Sequence, residues 1–135
     1  MELKGTVAVV TGGNGGLGQR ICHALAAEGV NIAVVYAKSA DQSKEVAETL
    51  RKQHQINAAP FGCDVSKPDQ VQRLVDDVSK HFGRLDILIN DAAYNKAIAF
   101  QDLDGLTIEE WTKIIDINLT GPMHCIKAVA PVMKR

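Results

Sequence analysis

Residues 7–18, Val7-Ala8-Val9-Val10-Thr11-Gly12-Gly13-Asn14-Gly15-Gly16-Leu17-Gly18, decide how the rest of the chain is read. The run Val7 to Val10 is apolar at every position and is bounded by glycine, which suits a strand buried on both faces, as in a parallel sheet. Of the 11 glycines in the chain, five fall between Gly12 and Gly18. Beyond them Leu17, Ile21 and Leu25 recur every four residues, and Gly29 stands where a helix would be capped. Strand, glycine turn and helix form the first unit.

A turn of this kind places several backbone N–H groups at the positive end of a helix dipole, which makes a ready site for the phosphates of a nucleotide. Glycine is required there because a Cβ would block close approach. Two patterns fit. Gly13-x-Gly15-x-x-Gly18 matches GxGxxG, and Thr11-Gly12-x-x-x-Gly16-x-Gly18 matches TGxxxGxG. A P-loop is excluded, because Gln19-Arg20 follows Gly18 where Lys and Ser/Thr are needed. The GxGxxG reading expects an acid about twenty residues on, at the end of the second strand. Val35-Tyr36-Ala37-Lys38-Ser39 supplies none before Asp41.

The alternation continues down the chain. Asn31–Tyr36 reads as a second buried strand, and Asp41 to about His54 as a helix with Val46 and Leu50 on one face. Ala58–Cys63 is a weaker third strand. Ser66, three residues before Asp69, is expected to open a helix carrying Val71, Leu74, Val75, Val78 and Phe82, with Gly83 closing it. Leu85–Asn90 is the fourth strand. After a looser segment, Thr107-Ile108-Glu109-Glu110 reads as a capping box opening one long helix to the chain end. The expected fold is α/β: a Rossmann-type, doubly wound parallel sheet, truncated after about four βα units.

Composition sets the outer limits. The 135 residues carry 15 Lys+Arg against 16 Asp+Glu, a net charge of −1, and 46% are hydrophobic. That describes one globular domain, with no basic run to serve nucleic acid or an anionic membrane. No apolar stretch approaches the roughly 18 residues of a membrane span. The three cysteines, Cys22, Cys63 and Cys125, are far apart and form no CxxC, so neither a disulfide framework nor a metal site is expected. A cytoplasmic protein of a reducing compartment is the expectation.

Four motifs in register carry a resemblance. Thr11-Gly12-x-x-x-Gly16-x-Gly18, Asp64-Val65 after the third strand, Asn90-Asp91-Ala92-Ala93 after the fourth, and Asn118-Leu119-Thr120-Gly121 in the last helix resemble, in order and spacing, the short-chain dehydrogenase/reductase family. The closest tone is that of its 3-oxoacyl-carrier-protein reductase-like branch. The match covers the whole chain.

The resemblance implies NADP or NAD as cofactor, with a binding set of Thr11, Gly12, Asn14, Gly16, Leu17, Gly18, Lys38, Ser39, Asp64, Val65, Asn90 and Ala92. Gly12, Gly16 and Gly18 would hold the pyrophosphate. Asn14 and Gly15 stand where many NADP-using members carry a basic side chain; Lys38 with Ser39 offers one instead. A cation there would pair with a 2′-phosphate, and the missing acid removes the usual hydroxyl clamp, so NADP is favoured. A solvated loop lysine is the competing reading. Asp64 would take the adenine amino group, or would simply close a turn. Two positions depart from the family's Asn-Asn-Ala-Gly: Asp91 puts a charge beside an anionic cofactor, and Ala93 replaces a glycine.

Asn118 carries its own physical argument. Asparagine is a poor mid-helix residue, and Pro122, four residues on, has no N–H for the Asn118 carbonyl. A kink is expected, serving either packing alone or, as the resemblance implies, a catalytic role for Asn118 in ordering a proton-relay water. His23 and His124 lack metal-ligand spacing. Cys125, Met123 and Ile126 read as packing residues, and Trp111 as a core or interface anchor.

The family's catalytic Ser and Tyr-x-x-x-Lys are missing from these residues. Tyr36 is followed four residues later by Ala40, and Tyr94 by Ile98. The expectation is therefore the cofactor-binding part, residues 1–135, of a single domain whose carboxy-terminal part is absent. A small carbonyl or alcohol would be the substrate of the whole protein, and the 107–135 helix would join copies in a homo-oligomer. A non-catalytic nucleotide-binding or interaction module is the alternative. The apolar fourth strand, which would make an unprotected edge, favours the enzyme.

Overall fold

The computed structural model describes residues 2–135. Four strands, β1 (Val7–Thr11), β2 (Asn31–Tyr36), β3 (Ala58–Gly62) and β4 (Ile87–Asn90), alternate with α1 (Gly16–Ala27), α2 (Ala40–His54) and α3 (Pro68–Phe82). A single-turn 3₁₀ segment, Leu103–Gly105, follows. Then come α4 (Ile108–Ile115), a π turn (Asp116–Thr120) and α5 (Gly121–Met133).

All strand pairs are parallel, in the order β3-β2-β1-β4. This is the doubly wound α/β architecture expected of the sequence. Alternate residues of the central strands enter opposite layers, which is why β1 and β2 read as unbroken apolar runs. Val7, Val9, Ala33 and Val35 pack with Val71, Leu74, Val75 and Val78 of α3 and with Cys125 and Val129 of α5. Ala8, Val10, Ile32 and Val34 pack with Cys22 and Ala26 of α1 and with Val46, Ala47 and Leu50 of α2.

Several local expectations are corrected. The face of α1 that meets the sheet is Gly18, Cys22 and Ala26, whereas Leu17 is 64% exposed. Only small residues let this helix lie close to β1. Ser66 does not open α3: its N–H and hydroxyl both donate to Asp64 Oδ1, and the helix begins at Pro68, whose ring presets the first-turn φ. β4 starts two residues later than read, although the Asp86 N–H still donates to the Val7 carbonyl at 3.0 Å and its carboxylate takes the Val7 N–H and two Arg84 nitrogens. Thr107 does cap its helix, accepting from the Glu110 N–H at 3.2 Å. The long helix expected after Thr107 runs uninterrupted, in right-handed helical backbone throughout, through α4, the π turn and α5. Its irregularity is the π turn that holds Asn118, followed by Gly121-Pro122. Trp111 is no core residue, and Met123 and Ile126 are exposed, because the face of α4–α5 they share meets no other element.

Candidate functional site

The carboxyl ends of all four strands open on one cleft of about 760 Å³, within the roughly 300–1,000 Å³ range of small-molecule sites. β1 is followed by a helix on one face of the sheet and β4 by elements on the other, so the strand order reverses between them. Ligands of open α/β sheets bind at such a switch point.

The glycine turn forms one wall. Gly12 has φ +67°, and a Cβ there would stand 3.0 Å from the Ala92 Cα, so both its conformation and its neighbour demand glycine. Gly18 is buried within α1, where a Cβ would collide with the Gly12 carbonyl; it seats the helix on the turn. A Cβ on Gly16 meets nothing within 4 Å. The turn therefore divides its glycines between those that build it and one whose open side faces solvent.

Thr11 fastens the turn to the loop after β4. Its buried hydroxyl accepts from the Asp91 and Ala92 N–H groups, each at 3.1 Å, and donates to the Ile89 carbonyl at 3.3 Å. Asn14 fastens it to the loop after β2: its amide nitrogen donates to the Lys38 carbonyl at 3.1 Å and to Gln42 Oε1 at 3.2 Å. Gln19 Nε2 in turn donates to the Asn14 carbonyl at 2.7 Å. Ser39 adopts φ +64°, a strained conformation for a non-glycine residue, immediately after Lys38. Lys38 is exposed on the cleft rim and forms no ion pair among the described residues.

Asp64 and Val65 form the far wall. Burial pushes the Asp64 carboxyl up, but the two Ser66 hydrogen bonds, with Lys67 and Lys113, hold it below the usual range. Its Oδ1 is thereby committed to the turn, as the local reading of Asp64 required, while the residue still lines the cleft.

Thr11, Gly12, Asn14, Leu17, Lys38, Ser39, Asp64, Val65 and Ala92 thus converge on one space. Gly18 is packed beneath the turn and does not line it. Gly16 is not in the lining either, but stands between two residues that are, Gly15 and Leu17, with its open side toward solvent. Asn90, the last residue of edge strand β4, is exposed and also lies outside the lining. Asn118 is outside as well: its amide spans the Tyr94 backbone, accepting from the N–H at 2.7 Å and donating to the carbonyl at 2.8 Å. The π turn, a bulge inside a helix of the kind frequent at functional sites, presents it to that loop.

Sequence reading missed Tyr94 and Lys113. Tyr94 donates its hydroxyl to Glu110 Oε2 at 2.9 Å, and the Lys113 ammonium lies 4.0 Å from the Tyr94 ring centroid. The Glu110 hydrogen bond raises the Tyr94 hydroxyl above its ordinary value. Lys113 and Ile117, four residues apart across α4 and the π turn, both line the cleft, and that spacing was the available signal. Burial pushes the Cys22 and Cys63 thiols up to about 12 and the Cys125 thiol to about 11, so all three stay protonated and unreactive. Among the described residues no cluster of metal-ligating side chains occurs, and no helix is long and apolar enough to cross a membrane.

A doubly wound sheet with a glycine turn at its switch point places the chain among the Rossmann-like α/β proteins. The family model of short chain dehydrogenases matches residues 6–135, and the chain belongs to that family. It is 36% identical over 128 residues to the 3-oxoacyl-acyl-carrier-protein reductase FabG of Staphylococcus epidermidis, covering 95% of this chain and 51% of that protein. Glucose 1-dehydrogenase 2 of Bacillus subtilis is 33% identical over 127 residues, covering 94% of this chain and 48% of the relative. Among solved structures, NAD+-bound xylitol dehydrogenase superposes with a TM-score of 0.86 at 31% identity, over 98% of this chain and 50% of that one. The chain therefore spans about half the length of the relatives it matches.

Proposed function

We propose that the chain is the dinucleotide-binding part of an NAD(P)-dependent oxidoreductase that interconverts a small carbonyl compound and its alcohol by hydride transfer. The observation that carries this reading is the convergence of the glycine turn, the Lys38–Ser39 corner and the Asp64–Val65 wall on one cleft at the sheet's switch point. The open face of the turn, with Gly12, Gly15 and Gly16, fits the pyrophosphate at the amino end of α1. No acidic residue occupies the first turn of α1 to oppose it. Asp64 and Val65 fit the adenine end.

NADP is favoured over NAD. Asn14 holds the Lys38 main chain, and the exposed ammonium is left to meet a 2′-phosphate. When bound, the dinucleotide would supply the hydride to the carbonyl or accept it from the alcohol. Asn118, fixed to the Tyr94 loop, fits the family's relay position. The unprotected edge of β4 supports an enzyme whose sheet continues over a module complete at this length. Three unpaired, buried thiols support a reducing, cytoplasmic setting.

The test is a fluorescence titration of the chain with NADPH and NADH. NADPH should bind more tightly, and the preference should shrink in Lys38→Ala. An NADH preference in the parent chain refutes the NADP assignment. With no Tyr-x-x-x-Lys in these residues, turnover of an acetoacetyl thioester by the isolated chain should stay at buffer background.

A further inference from the structure

Asp91 is the cleft residue that the binding reading does not absorb. Its main chain is pinned: its N–H is bound to Thr11 Oγ1 at 3.1 Å, and its carbonyl carbon lies 3.4 Å from where a Cβ on Gly12 would stand. It is half-buried and lines the cleft beside the first glycine of the turn. Among the described residues no hydrogen bond or ion pair reaches its carboxylate.

The titratable groups around the same space are Cys22 of α1, Lys38 after β2, Cys63 and Asp64 after β3, Tyr94 on its own loop and Lys113 of α4. Asp91 acts electrostatically on Cys22, whose thiol is neutral in any case, pushed up by burial to about 12. Neither lysine compensates Asp91. Its carboxyl sits above the ordinary range, with burial as the cause.

Resting on the dinucleotide reading above, we propose that Asp91 takes up one proton from solvent when a dinucleotide binds, so that binding is coupled to pH. The diphosphate brings negative charge against a carboxylate whose backbone cannot retreat. A like charge at close range disfavours ionisation, and the neutral acid gains an O–H donor. The bound-state pKa then lies above that of the free chain. Affinity is greatest below the free-chain pKa, falls as pH rises, and levels off above the bound-state pKa.

The experiment is calorimetric titration of the whole chain with NAD+, whose diphosphate does not itself titrate between about pH 5 and pH 8. Parent and Asp91→Asn proteins are compared in two buffers of different ionisation enthalpy. The expected result is an affinity that falls as pH rises through the free and bound Asp91 midpoints, by about tenfold for a one-unit pKa rise, with buffer-dependent heats that report proton uptake. Asp91→Asn should be flat. A parent profile that is flat, or one that the variant reproduces, overturns the role of Asp91 and leaves the dinucleotide reading standing. No binding by either protein at any pH overturns both. A carbon-13 titration of the Asp91 carboxyl in the parent protein needs no variant: its midpoint should move up on saturation with NAD+, and an unmoved midpoint overturns the proposal.

Discussion

Asn118 grips Tyr94 by both polar atoms of its amide, taking the N–H at 2.7 Å and giving to the carbonyl at 2.8 Å. The two residues are 24 positions apart, one in the π turn and one in the loop after β4. Two such bonds imitate a strand pairing, so they lock the loop against the bulged helix without any sheet.

Asn118→Ala should therefore loosen the loop at residues 91–98 before it disturbs the sheet. Hydrogen exchange at the Tyr94 amide should speed by about tenfold, the equivalent of roughly one net hydrogen bond. Amides of β1 and β2 should keep their protection. Unchanged exchange at Tyr94 would show that the grip does not hold the loop.

The glycine turn separates folding from binding. Gly18→Ala drives a Cβ into the Gly12 carbonyl, a backbone atom that cannot move aside. Overpacking of this kind costs about 1–3 kcal/mol or more, so the melting temperature should drop. Gly16→Val meets open space and should leave the melt nearly unchanged while abolishing dinucleotide binding. Equal melting temperatures for Gly18→Ala and the parent would contradict this division.

Asp86 ties the start of β1 to the approach of β4, accepting from the Val7 N–H at 2.9 Å and from two Arg84 nitrogens at 2.8 Å. Arg84 above all, with the Val7 N–H, holds its carboxyl below the usual range despite partial burial. A depressed folded-state pKa stabilises the fold at pH values above the unfolded value of about 3.9, and that stability is lost as pH falls through the folded value. The melting temperature should fall on acidification below about pH 4, and Asp86→Asn should show a shallower fall. Parallel acid profiles for the two proteins would remove Asp86 as a cause.

The fold was legible because β1 and β2 are buried on both faces and so announce themselves by composition, and because Gly29 and Gly83 mark helix ends. The cleft was legible wherever one residue type at one position suffices, as at Gly12 or Asp64. What stayed hidden depends on partners distant in sequence. Asn14 looks like one more turn residue until Lys38 and Gln42 arrive beside it, and Thr11 like a strand end until its hydroxyl gathers the Asp91 and Ala92 amides. The irregularity at Asn118 was signalled by Pro122. Its form, a π turn facing Tyr94, was not, since Tyr94 lies on a loop with no periodicity of its own. Not every apolar residue of α4–α5 is surplus: Val129 is 4% exposed because α5 packs on α3 and the sheet, and Ile114 and Ile115 of α4 are half-buried.

The remaining surplus is real and leads to the last prediction. Leu119 is 66% exposed, Ile126 55%, Trp111 54% and Met123 45%, all on the α4–α5 side of the molecule. Residues 119, 123 and 126 follow a helical stripe. Beside them β4 ends the sheet, with its outer backbone donors and acceptors unpaired. At about 1.5–3 kcal/mol for each fully buried large side chain, four half-exposed ones forfeit on the order of 3–6 kcal/mol. That is a large fraction of the roughly 5–15 kcal/mol that holds a typical domain together. Covering this face by self-association recovers most of it, so the purified chain should sediment as a dimer or larger species at micromolar concentration. Because Leu119 and Ile126 support no core contact of their own, Leu119→Glu with Ile126→Glu should shift the boundary toward monomer without lowering the melting temperature by more than a few degrees. A sharp monomeric boundary for the parent chain, with a cooperative melt, would show that the exposed face is tolerated in water.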